Sequence, residues 1–251
     1  MSEFLEGKTA VVSGASRGLG KAMAMALAAE GVKVALVARD LAKLNEAAGE
    51  IRAQGGCAEV FAADLTREDN VAALELAVTE KLGKVQILIN NAGVNLRKPL
   101  VDFTLDEWRG VMDANHTSAF LMCRAFVPRM KGTGYGRIIN LTSIMSHVSL
   151  PERAAYSSSK AALLGLTRAL ALELAGDAIT VTAISPGPCS TEMNAPILND
   201  PEWNASFLAK IPVHQWGRPR DVGALAVFLC SEASAFITGT DILIDGGWTA
   251  Q

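Results

Sequence analysis

Thr9-Ala10-Val11-Val12-Ser13-Gly14-Ala15-Ser16-Arg17-Gly18-Leu19-Gly20 decides how the rest of the chain is read. A short run of β-branched and small apolar residues enters a glycine-rich turn, and the turn opens a helical pattern at Leu19. The glycines permit a tight turn and a close backbone approach to a ligand. The helix start beyond them offers free N–H groups and the positive end of a dipole, which suits a pyrophosphate. Alone, such a turn is also an ordinary strand–helix connection, so its surroundings decide between the two.

Those surroundings repeat the same alternation almost to the end of the chain. Strands are expected at Thr9–Ser13, Lys33–Ala38, Glu59–Ala63, Gln86–Asn90, Arg137–Leu141, Ile179–Ile184 and Asp241–Ile244. Helical periodicity fills Leu19–Glu30, Leu41–Gln54, Arg67–Leu82, Leu105–Met130, Ala154–Leu174 and Arg220–Cys230. Strands alternating with helices predict an α/β doubly wound, Rossmann-type fold: a seven-stranded, mainly parallel sheet with helices on both faces. The nearly continuous apolar strands fit burial on both sides. No linker, repeat or low-complexity tract divides residues 1–251, so one dinucleotide-binding domain is expected. The proline-punctuated stretch from 186 to about 219 shows no clear element and reads as a substrate-loop insertion.

The composition excludes several other classes. The chain has 251 residues, 23 Lys plus Arg, 26 Asp plus Glu and a net charge of −3, with half its residues hydrophobic. That excludes disorder and leaves no basic footprint for nucleic acid. Mean hydropathy is +0.25, yet the longest charge-free runs, Ile138–Pro151 and Ala178–Thr191, reach 14 residues, too short for a spanning helix. The acidic N-terminus has no secretory pattern. Cys57, Cys123, Cys189 and Cys230 form no Cys-x-x-Cys pair, and His116, His147 and His214 lack metal-ligand spacing. Ordinary core thiols, no metal and a cytoplasmic location are therefore expected.

The glycine spacing in Ser13-Gly14-Ala15-Ser16-Arg17-Gly18-Leu19-Gly20 is G-x-x-x-G-x-G. It resembles the T-G-x-x-x-G-x-G of the short-chain dehydrogenase/reductase family, with Ser13 keeping the hydroxyl of the family's Thr. Asp64-Leu65 after the third strand resembles the family's adenine-contacting pair, and Asn90-Asn91-Ala92-Gly93 after the fourth matches its N-N-A-G. Pro186-Gly187-Pro188-Cys189-Ser190-Thr191 matches P-G-x-x-x-T, which in the family faces the nicotinamide carboxamide. The resemblance runs from about Gly7 to Trp248. It implies cofactor contacts from Gly14, Ser16, Arg17, Gly18, Leu19, Gly20, Asp64, Leu65, Asn91, Ala92, Gly93, Pro186, Gly187 and Thr191. At the end of the second strand, Val37-Ala38-Arg39-Asp40 lacks an acid at position 38 to take a ribose 2′-hydroxyl. Arg39 and Arg17 supply guanidinium groups for a 2′-phosphate, so NADP(H) is expected over NAD(H).

Tyr156-Ser157-Ser158-Ser159-Lys160 places a phenol and an amine one helical turn apart. Exchanging hydride between an alcohol and a carbonyl requires a proton to leave or arrive, and a free tyrosine pKa near 10 is too high for a base at neutral pH. A neighbouring ammonium favours the phenolate. By the resemblance Tyr156 is the general acid/base, and Lys160 holds the nicotinamide ribose. Ser143 orients the substrate oxygen, with Ser146 as a rival, and Asn115 helps hold a water in a proton relay. These four make a non-catalytic dinucleotide-binding regulator the weaker reading.

Substrate signals are sparser. Arg97, just past Asn-Asn-Ala-Gly, suits a carboxylate; Lys98, Glu152, Arg153, His147, His214 and Trp216 are further wall candidates. His214-Gln215-Trp216-Gly217-Arg218-Pro219 and Asp245-Gly246-Gly247-Trp248 resemble the gluconate 5-dehydrogenase-like branch of the family. That branch implies a sugar acid. The alternative is a 3-oxoacyl-thioester (acyl-carrier-protein) reductase, docking through Arg124, Arg129, Lys131 and Arg137. The resemblance also implies a homotetramer meeting through Leu105–Met130 and Ala154–Leu174.

Overall fold

The computed structural model describes residues 4–251. Seven strands form one sheet: β1 (Thr9–Ser13), β2 (Lys33–Ala38), β3 (Cys57–Ala62), β4 (Ile87–Asn90), β5 (Gly136–Leu141), β6 (Ile179–Pro186) and β7 (Asp241–Ile244). Their order is β3-β2-β1-β4-β5-β6-β7 and every neighbouring pair is parallel. Val12 of β1 pairs with Leu36 on one side and Ile89 on the other. The strand order therefore reverses at β1 and β4, which opens a crevice at their carboxyl ends.

The helices are α1 (Gly18–Ala29), α2 (Leu41–Ala53), α3 (Glu68–Leu82), α4 (Leu105–Met112), α5 (Ser118–Met130), α6 (Ala154–Leu174), α7 (Ala195–Leu198), α8 (Pro201–Leu208) and α9 (Pro219–Cys230). Met23 and Leu27 of α1, Leu44 and Ile51 of α2 and Val222 and Leu229 of α9 pack one face of the sheet. Leu74 of α3, Phe126 of α5 and Leu174 of α6 pack the other. Both faces are covered, which explains why β1, β4 and β5 are buried throughout and mostly apolar. Edge strand β3 has a mixed burial pattern and starts two residues before the expected point.

Two expectations are corrected. The single helix expected over Leu105–Met130 is broken by a π-helical turn at Asp113–Thr117. That turn inserts extra backbone at Asn115. The stretch from 186 to 219 also contains two helices. Asp200 caps α8 by accepting from the Glu202 and Trp203 N–H groups at 3.0 and 2.9 Å, and Pro201 follows it. Asp followed by Pro is a helix-start signal, here masked by the density of prolines.

Candidate active site

The glycine turn leaves β1 with Gly14 at φ +63°, in the left-handed region that glycine enters without strain. A Cβ on Gly20 would run into the Gly14 carbonyl and the Asn91 amide, so only glycine lets α1 start this close to β4. The Ser13 hydroxyl accepts from the N–H groups of Asn91 at 2.9 Å and Ala92 at 3.0 Å, and donates to the Ile89 carbonyl at 3.2 Å. Asn91 Nδ2 returns bonds to the carbonyls of Ser13 and Gly14 at 2.9 and 3.1 Å. The turn and the N-N-A-G segment are thereby tied together across the crevice.

One cavity of about 1070 Å³ runs along the carboxyl ends of the strands. Every sequence-predicted cofactor residue lines it except Gly20, which is buried behind the turn. At one end lie Arg17, Arg39 and Lys43; Lys43 had no signal in the sequence beyond its place one turn into α2. Asp40 also lines the cavity, and its carboxylate caps α2 by accepting from the Lys43 N–H at 3.1 Å. Bonds from Thr66 to the Asp64 carboxylate, 2.8 Å from the hydroxyl and 3.1 Å from the N–H, hold its pKa below the usual range. The cradle fits a dinucleotide: tight glycine turn, helix start and cations at the far end.

At the other end Ser143, Tyr156 and Lys160 share the same cavity. Lys160 is almost wholly buried, donates to the Leu141 carbonyl and has its pKa pushed down by burial to about 8. Burial pushes the Tyr156 phenol up, opposed by the Ser143 hydroxyl and the Arg153 charge. With the protein's own groups alone, the phenol therefore keeps its proton at neutral pH, the form needed to donate to a carbonyl oxygen. The Arg153 charge favours the phenolate, and the Lys160 ammonium lies over the same ring, 5.8 Å from its centroid. Ser146 is half-buried in the short turn after Ser143, its hydroxyl oxygen buried without a hydrogen-bond partner, and does not line the cavity.

Asn115 lies behind the cavity wall, 1% exposed. Its Oδ1 accepts from the Val94 N–H at 2.7 Å, while Nδ2 donates to the Val94 carbonyl and to Ser159 Oγ, both at 2.9 Å. Both amide protons are used, so the side chain fixes the loop after β4 against α6.

Of the expected wall residues, Arg97 and Arg153 line the cavity, while Lys98, Glu152, His147, His214 and Trp216 do not. Lys98 is held by Glu107 at 2.9 Å. His147 Nε2 meets Asp241 at 2.7 Å. Trp216 stacks on Phe207 and donates to Asn204 Oδ1 at 2.7 Å. Each has a partner that draws it away from the cavity. Met193, Ile197 and Phe207, from the stretch that carries α7 and α8, take the outer wall instead. No cluster of three or more His, Cys, Asp or Glu side chains suited to a metal ion exists among the described residues. No described helix is long and apolar enough to cross a membrane.

The family described as Enoyl-(Acyl carrier protein) reductase matches residues 14–249. The 3beta-hydroxysteroid dehydrogenase 1 of Eggerthella lenta is 39% identical, over 99% of this chain and 96% of that protein. The Gluconate 5-dehydrogenase of Gluconobacter oxydans is 34% identical, over 98% and 96%. The chain belongs to the short-chain dehydrogenase/reductase superfamily. A Beutenbergia cavernae structure, provisionally described as an NAD(P)-dependent gluconate 5-dehydrogenase and carrying NADP at low occupancy, superposes with a TM-score of 0.94. It is 38% identical and the match covers 98% of both chains. This short-chain dehydrogenase/reductase is thus an NAD(P)-dependent oxidoreductase acting on hydroxyl and carbonyl groups. Its relatives' names span a steroid and a sugar acid, so the substrate rests on the site itself.

Proposed function

We propose that the protein transfers hydride reversibly between NADP(H) and a hydroxyl or ketone carbon of a sugar acid. The observation that carries the reading is the single cavity joining three cations at one end to Ser143, Tyr156 and Lys160 at the other. NADP(H), when bound, supplies or accepts the hydride. The residues that would hold it are the turn from Gly14 to Gly20, Asp64, Leu65, Asn91 to Gly93, Pro186, Gly187 and Thr191, with Arg17 and Arg39 at the 2′-phosphate. Lys160 holds the ribose side. Ser143 hydrogen-bonds the substrate oxygen and stabilises charge developing there. In reduction Tyr156 gives its proton to that oxygen; in oxidation its phenolate takes one. Asn115 positions the loop and helix between which these groups sit.

Preference for NADP(H) is supported by Ala38 standing where an acid would otherwise meet the ribose, and by Arg17, Arg39 and Lys43 lining that end of the cavity. A sugar acid is supported by Arg97 in the cavity. Assembly as a homotetramer through α4, α5 and α6 is supported by Leu105, Phe120 and Leu172, all exposed on those helices. The test follows absorbance of the reduced nicotinamide with NADPH or NADH against 5-keto-gluconate, neutral keto-sugars and a 3-oxoacyl thioester. The reading expects NADPH oxidation with the keto-acid. Preference for the thioester would move the protein to acyl reduction with the same chemistry, and no turnover with any substrate would leave a dinucleotide-binding protein.

A further inference from the structure

Two arginines face the substrate part of the cavity with no carboxylate paired to them. Arg97 lies in the loop after β4, and Arg153 stands at the start of α6, three residues before Tyr156. Two crosslinks hold their loops side by side: the Lys98 N–H donates to the Glu152 carbonyl at 3.3 Å, and Arg153 Nη1 donates to Asn95 Oδ1 at 2.9 Å. Arg153 is only 8% exposed, and the one hydrogen-bonding partner of its guanidinium, Asn95, is neutral. Arg97 makes neither a hydrogen bond nor an ion pair among the described residues. Glu152 acts on both arginines electrostatically but pairs with neither.

Burying a cation without a counter-charge is unfavourable, and a second cation beside it adds to the cost. The stress shows in the guanidinium of Arg153, whose pKa is lowered to about 10 by burial first and by Arg97 second. The fold nevertheless holds Arg153 in place and brings Arg97 beside it, which is reasonable if an incoming anion supplies the missing charge. A planar guanidinium matches the two oxygens of a carboxylate.

We propose that Arg153 and Arg97 together form the seat of a substrate carboxylate, with Arg153 the specificity-determining residue that separates acids from neutral alcohols. The proposal deepens the sugar-acid reading and rests on it for the kind of acid. It also places the carboxylate on the Tyr156 side of the cavity, since Arg153 begins the helix that carries the tyrosine.

The test titrates D-gluconate and D-sorbitol, which differ by a carboxylate against a hydroxymethyl group, into the NADPH-loaded enzyme. Both ligand and cofactor are reduced, so no turnover occurs. Arg153→Met should weaken gluconate about tenfold to a hundredfold, the range for a lost charge-assisted hydrogen bond, while the Kd values of sorbitol and NADPH stay put. Arg153→Lys should recover part of the loss, and Asn95→Ala should reproduce a smaller one. These milder variants keep the test alive if Arg153→Met fails to bind NADPH. An unchanged gluconate Kd, an equal loss for both ligands, or a parent enzyme blind to the difference between them overturns the seat. Arg153-dependent gluconate binding without NADP-linked oxidation sinks the sugar-acid reading and leaves the seat standing. Gluconate oxidation with a KM indifferent to Arg153→Met does the reverse.

Discussion

Ser13→Ala removes one oxygen atom that serves three backbone groups. In the parent this hydroxyl, 2% exposed at the end of β1, accepts from the N–H groups of Asn91 and Ala92 and donates to the Ile89 carbonyl. Alanine leaves the two N–H groups without their acceptor, where the N-N-A-G segment turns under the cofactor cradle. At about 1–2 kcal/mol for each stranded donor the loss is about 2–4 kcal/mol. For a chain of this length that is a fall of about 4–16 °C in Tm. Chemical denaturation monitored by tryptophan fluorescence measures it, with NADPH affinity as a second readout expected to weaken as the segment loosens. Ser13→Thr keeps the oxygen and should stay close to the parent. A Ser13→Ala loss below about 0.5 kcal/mol, or an equal loss in Ser13→Thr, refutes the accounting, since Ser13→Thr keeps the hydroxyl that Ser13→Ala removes.

Further outcomes follow from the same geometry. Arg39→Glu should lower kcat/KM for NADPH by tenfold or more and raise that for NADH, as one phosphate-binding cation becomes a ribose-binding acid; an unchanged ratio contradicts the cofactor assignment. Gly20→Ala should cost about 1–3 kcal/mol through forced backbone shifts and weaken NADPH binding, which thermal melts and cofactor titration check together. Burial lowers the Lys160 pKa from 10.5 to about 8, so between pH 8 and 10 the unfolded chain holds a proton that the native one has released. Its contribution to stability therefore rises with pH across that window. The raised Tyr156 phenol acts in the opposite sense above about pH 10. Lys160→Met should flatten the rise in denaturation midpoints between pH 8 and 10; an unchanged slope contradicts the assignment.

Much of this was legible in the sequence because the cofactor site is local. Gly14 to Gly20, Asp64-Leu65 and Asn91 to Gly93 each follow a strand, and a parallel sheet brings strand ends together whatever the intervening helices do. The substrate side was less legible because its residues are defined by pairings across the chain. Nothing around His147 or Trp216 says that Asp241 and Asn204 hold them. Arg153 was visible only as one wall candidate among several, and its importance comes from burial and from Asn95, 58 positions away. Asn115 showed its presence but not its bonds to Val94 and Ser159, which need the π-helical turn that helical periodicity conceals.

The most direct test of the central claim is steady-state NADPH oxidation with 5-keto-gluconate by the parent and by Tyr156→Phe, with NADPH Kd measured on both. The account predicts turnover in the parent and a loss of a hundredfold or more in the variant, with cofactor affinity nearly unchanged. Comparable turnover in Tyr156→Phe would contradict the assignment of the phenol as the proton donor.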